Sequence, residues 1–134
     1  MFSVKMQVRD YECDLQGVVN NAVYQNYLEH SRHQFLLDAG IDFVDLSRQG
    51  IDLMVIRAEL DYKASLKPGD EFSIEVAVEK VSKIKYAFVQ TVYRQSDGKV
   101  MLQARTIGVA VNDRGRPFAF ADLERLSVRP DTTP

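Results

Sequence analysis

The sequence predicts an α+β domain in which a curled antiparallel sheet of five strands wraps around one long central helix. Three observations lead there. Apolar residues recur at helical spacing over a single long stretch, from about Ala22 to Ala39. Elsewhere most apolar residues alternate with polar ones, the period of a half-buried strand. Turns containing Gly or Pro bound the later runs at Lys67–Asp70, Ser96–Lys99 and Asn112–Gly115, as chain reversals between antiparallel neighbours favour. One amphipathic helix covers only part of one face of such a sheet, so the natural packing is a sheet curled around the helix.

The first element is a strand from Phe2 to Arg9, with Phe2, Val4, Met6 and Val8 on one side and Ser3, Lys5, Gln7 and Arg9 on the other. The polar stretch Asp10 to Gly17 breaks that period. Asn20 and Asn21 are both suitable helix caps, since a short side-chain carbonyl accepts from an orphan backbone N–H. Tyr24, Tyr27, Leu28, Ser31, Phe35 and Ala39 then define a buried helical face. Gln25, Glu29, Arg32, His33 and Asp38 take much of the opposite, solvated face, and Gly40 stops the helix. Ile41 to Gln49 suits a short second helix or turn. Strand periodicity returns from Ile56 to Lys63, and the apolar run Leu53–Ile56 before it predicts a bulge or burial on both sides. Lys67–Asp70 is a turn, and Phe72, Ile74, Val76 and Val78 mark the next strand. Lys83–Arg94 and Val100–Val111 form the last two, joined by a hairpin at Ser96–Lys99 with Gly98 free to take positive φ. A turn at Asn112–Gly115 and a helical turn around Ala121–Leu126 complete the chain.

With 134 residues, 46% hydrophobic and 27% charged, the chain reads as one globular domain over residues 1–134, with 127–134 expected as a loose tail. A net charge of −2 and the lack of a basic stripe argue against a nucleic-acid partner. No apolar run approaches the ~18 residues of a membrane span, and Met1–Met6 lacks a signal-peptide pattern. The single cysteine excludes an internal disulfide, so a reducing cytoplasm is the expected compartment.

The chemistry-bearing stretch is Tyr11-Glu12-Cys13-Asp14-Leu15-Gln16-Gly17-Val18-Val19-Asn20-Asn21-Ala22-Val23-Tyr24, continuing through Tyr27, Leu28, Glu29 and Arg32. It places a carboxylate in a turn leading into a helix start, where N–H groups are unpaired and the dipole is positive. This segment resembles the hotdog-fold acyl-CoA thioesterases of the 4-hydroxybenzoyl-CoA thioesterase type, and the later strand-turn-strand order agrees over nearly the whole chain. The resemblance implies a hotdog fold and hydrolysis of an acyl-CoA to a carboxylic acid and CoA. The family's catalytic Asp maps onto Asp14, and the backbone N–H that polarises the thioester carbonyl maps onto Asn21, where relatives often carry His or Tyr. Gly17, Val18, Val19, Tyr24 and Glu29 are the implied substrate contacts. The Asn20-Asn21 pair is also similar to the plant-type acyl-ACP thioesterases, although Val18 stands where those enzymes place a His. Acyl-ACP hydrolysis and a non-catalytic acyl-CoA binding module are therefore the alternatives.

A carboxylate can activate water or attack the carbonyl itself, and the sequence leaves both routes open. Neither needs a cofactor, since coenzyme A belongs to the substrate. Cys13 lacks a base partner and reads as a small, partly buried side chain. His30 and His33 are spaced i, i+3 without a third ligand and read as surface residues rather than a metal site. Tyr24, Tyr27, Phe35 and Phe88 are candidate pocket walls. Lys63, Lys83, Lys85, Arg94 and Arg105 are solvated cations from which a CoA phosphate contact would be drawn. The uncovered edge and outer face of the sheet imply a homodimer or a homotetramer built as a dimer of dimers.

Overall fold

A computed structural model describes residues 1–128. The sheet is built from β1 (Ser3–Gln7), β2 (Asp52–Tyr62), β3 (Glu71–Lys80), β4 (Lys85–Arg94) and β5 (Val100–Val111). Their spatial order is β1-β3-β4-β5-β2, with every pairing antiparallel. The helix α1 (Asn21–Asp38) lies on the inner face. Phe72, Ile74, Val76 and Val78 of β3 are at most 1% exposed and pack with Tyr24, Tyr27, Leu28 and Leu36 of α1 in one core. Strand alternation and helical spacing thus converge on one apolar layer, the arrangement that the α+β reading requires.

Both ends of α1 follow from local chemistry. Asn20 caps it, its side-chain oxygen accepting from Ala22 N–H at 2.9 Å. At the other end Gly40 takes φ 84°, which lets Ile41 N–H reach Leu36 O at 2.8 Å and Gly40 N–H reach Leu37 O at 3.0 Å. The short helix α2 (Phe43–Arg48) follows, capped by Asp42.

Strand β2 lies at the sheet edge and bulges between Val55 and Arg57, where the apolar run had blurred the period. Met54, Val55, Ile56 and Tyr62 are each 48–55% exposed in the single chain. Beyond β5 come two elements too short to show a period: β6 (Pro117–Phe118), which pairs with β5, and, after α3 (Ala121–Leu126), β7 (Ser127–Val128). β7 corrects the expected loose tail from residue 127, because it runs parallel to β3, and Ser127 Oγ donates to Leu123 O at 2.9 Å. Residues 129–134 of that expected tail lie outside the described residues.

Candidate active site

The stretch between β1 and α1 folds as a short 3-10 turn, Asp10–Glu12, followed by a tight hairpin. Cys13 bridges to Val19, Asp14 N–H donates to Val18 O at 2.9 Å, and Gly17 N–H donates to Asp14 O at 3.0 Å. Gly17 supplies the φ of 73° that closes the turn. Asp14 Oδ1 accepts from Gln16 N–H at 2.9 Å, which orients the carboxylate. Val19 N–H donates to Leu66 O at 3.0 Å, and Asn20 N–H to Glu12 O at 3.1 Å, seating the hairpin on the helix start. The cap takes Ala22 N–H, so among the described residues the N–H of Asn21 has no acceptor. It is the open donor at the positive end of α1.

A second tie runs beneath this junction. Tyr27 O–H donates to Glu12 Oε1 at 2.8 Å, and Glu12 Oε1 also accepts from Arg9 N–H at 2.8 Å. Burial, and then the Glu12 carboxylate, push the Tyr27 hydroxyl well above its ordinary range. Tyr24 O–H accepts from Leu66 N–H at 2.9 Å and packs edge-on to Tyr62.

Of the residues expected to meet substrate, Gly17 and Asn21 are exposed, Val18 is half-buried, and Val19 and Tyr24 are core, each 3% exposed. Val19 and Tyr24 therefore hold the junction in place. Asp14 is exposed in the single chain; Asp14 and Asn21 share the junction, while Glu29 stands apart from it.

Glu29 belongs to a cavity of about 240 Å³ farther along α1. Its walls include Leu36, Phe43, Leu53 and Phe88, with Glu29 and His33 at the exposed rim. Phe88 was an expected pocket wall; Tyr27 instead lines a separate recess beside Glu12 and His30. Phe35 packs edge-on against Phe2 and Phe88. At Gly108 a Cβ would stand 3.3 Å from Met54 O and 3.8 Å from Phe88 Cε2, so a side chain there would crowd the cavity wall.

Arg32 overturns its expected place on the solvated helix face. It is 9% exposed and turns inward, its Nη1 donating to Gln90 Oε1 at 3.2 Å. Gln90 of β4 is fully buried and donates through Nε2 to Leu28 O at 2.9 Å and Ser31 Oγ at 2.6 Å. Burial lowers the Arg32 pKa, with Glu29 opposing the shift from the cavity rim. A Gln in alternation with Tyr86, Phe88 and Val92 of β4 was the available signal that a polar group reaches that face from α1.

The profile of the thioesterase-like superfamily matches residues 8–132. The acyl-acyl carrier protein thioesterase ATL3 of Arabidopsis thaliana is 34% identical over 85% of this chain and 60% of its own length. The chain thus spans about 60% of the length of the plant relatives it matches. The crystal structure of a hypothetical protein from Aquifex aeolicus superposes with a TM-score of 0.86 at 26% identity, covering 95% of this chain and 100% of that one. A 1,4-dihydroxy-2-naphthoyl-CoA thioesterase from Synechocystis shares the fold, with a TM-score of 0.86 at 16% identity and 98% of each chain covered.

Proposed function

The chain belongs to the thioesterase-like superfamily and has its hotdog fold, and on that premise we propose that it is a hydrolase cleaving acyl-CoA with water to a free carboxylic acid and CoA. The observation that carries this reading is the junction itself. One hairpin-to-helix segment presents a carboxylate, Asp14, and an open main-chain donor, Asn21 N–H.

The chemistry needs both. As water oxygen bonds to the thioester carbon, Asp14 takes the water proton and negative charge gathers on the carbonyl oxygen. Asn21 N–H and the α1 dipole stabilise that oxygen, a contribution of about 3–4 kcal/mol for one well-aimed donor. The C–S bond then breaks, and the proton passes to the departing thiolate. In the nucleophilic variant Asp14 attacks the carbon directly, the C–S bond breaks to expel the CoA thiolate, and water then hydrolyses the resulting mixed anhydride, freeing the acid and restoring the Asp14 carboxylate. Both routes use only water and groups of the protein.

Asp14 is open to solvent in one chain, so this reading requires a second copy to close the site. The exposed apolar edge of β2 is the surface suited to that copy: strand pairing across it would continue the sheet and cover Met54, Val55, Ile56 and Tyr62. A homodimer is the unit proposed, with the tetramer as a pair of such dimers.

Acyl carrier protein is the second candidate carrier, favoured by the likeness to the plant acyl-acyl carrier protein thioesterases. Release of free thiol from matched acyl-CoA and acyl-ACP panels tests both. Turnover on CoA thioesters supports the proposal, turnover on carrier protein alone moves it to the second carrier, and no turnover on either overturns it.

A further inference from the structure

The cavity beside α1 combines apolar walls with one buried cation that the protein leaves under-used. A guanidinium carries five N–H donors and no acceptor. Among the described residues Arg32 makes one hydrogen bond, to the neutral amide of Gln90, and no ion pair. Its remaining donors have no protein acceptor, although only 9% of the residue is exposed and it lines the cavity. The spare donors keep access to solvent only through the cavity that Arg32 lines, so they are available to a group that enters it.

The cavity lies farther along the helix that begins at the junction. Tyr24, in the first turn of α1, packs on Tyr62 at the end of β2, while Leu53 near the start of β2 helps wall the cavity. Helix and strand therefore run antiparallel, and between their ends Val55 and Ala58 of β2 share the inner face with Phe88 and Gly108 yet are exposed. Arg32 stands eleven residues beyond Asn21, about 16 Å along the axis. Helical side chains lean towards the N-terminus, which shortens that span. A cavity of about 240 Å³ exceeds the roughly 150 Å³ that accepts benzene, which suits the end of a medium-length chain.

We propose that this cavity receives the far end of the acyl group and that Arg32 selects acyl groups carrying an oxygen acceptor there, a carboxylate or a hydroxyl, over plain hydrocarbon. The proposal rests on the hydrolase reading for the position of the thioester. A carboxylate matches the guanidinium fork best, a hydroxyl accepts one bond, and a methyl leaves the donors empty. Glu29 at the rim is the charge that opposes a carboxylate, and its exposure to water weakens that opposition.

The test uses pantetheine thioethers, which carry the arm common to CoA and carrier protein and cannot be hydrolysed. Octyl, ω-hydroxyoctyl and ω-carboxyheptyl tails are compared by calorimetry on the wild type, Arg32→Met and Arg32→Lys. The expected result is that at least one oxygenated tail binds the wild type roughly 10- to 100-fold more tightly than octyl. Arg32→Met removes that gain, and Arg32→Lys keeps part of the carboxylate preference. Octyl binding as tightly as both oxygenated tails to the wild type overturns the proposal, whether or not the variants fold. So does an unchanged ratio in folded Arg32→Met, the outcome of a purely structural role. Failure of the hydrolase reading shows separately, as absence of thiol release from the corresponding thioesters.

Discussion

Arg32 and Gln90 meet 3.2 Å apart across the interior, and each limits what the other position tolerates. Gln90→Leu removes the acceptor of a buried guanidinium and the donor to Ser31 Oγ, at an expected cost of about 1–3 kcal/mol in denaturant unfolding. Exposed Glu29→Gln stays within about 0.5 kcal/mol of the wild type by the same measurement. The contrast shows what the sequence conceals at this scale. Glu29 and Arg32 both read as residues of the solvated helix face, and for Glu29 the exposure holds. For Arg32 the deciding neighbour is 58 residues away, where no spacing rule reaches. Asn20 was legible as a cap because its partner is two residues on.

The loop that carries Asp14 hangs between two elements, and the Glu12–Tyr27 hydrogen bond ties it to α1. Tyr27→Phe leaves Glu12 short of one donor, costing about 1 kcal/mol, and loosens the loop. A displacement near an ångström is worth up to about 100-fold in rate, so kcat is expected to fall by more than the stability change alone explains. Steady-state kinetics beside thermal melts checks this. The same bond has a pH signature. The folded state keeps the Tyr27 proton above the ordinary value of 10.0, first through burial and then through Glu12, while the unfolded chain releases its proton near that value. This contribution to stability is complete below pH 10 and declines as the pH rises further. Urea midpoints from neutral to alkaline pH are expected to fall more steeply for wild type than for Tyr27→Phe. α1 was readable from its helical spacing and the main strands from their strand pattern, except the start of β2, where the apolar run Leu53–Ile56 hides the period. The two-residue β6 and β7 were not, because two residues carry no period and their pairing is decided by the strands they meet.

At the scale of the whole molecule the unfinished surface is β2, an edge strand with an apolar bulge exposed along it. Ile56→Lys places a charge on that edge while leaving the core untouched. It is expected to yield a folded monomer in light scattering and to lose thiol-releasing activity together with self-association. A monomeric wild type would remove the shared-site part of the account. The curled sheet and its helix were legible in the sequence, since both follow from burying one helix against one sheet. How the junction is closed was not, because in the proposed dimer that depends on groups from a second copy. The most direct test of the central claim is the rate of thioester cleavage by Asp14→Asn beside wild type on whichever carrier is turned over. Asp14 is exposed, so the variant is expected to melt within about 0.5 kcal/mol of wild type, while kcat falls by about 100- to 10,000-fold. A folded variant that cleaves the thioester as fast as wild type contradicts the account.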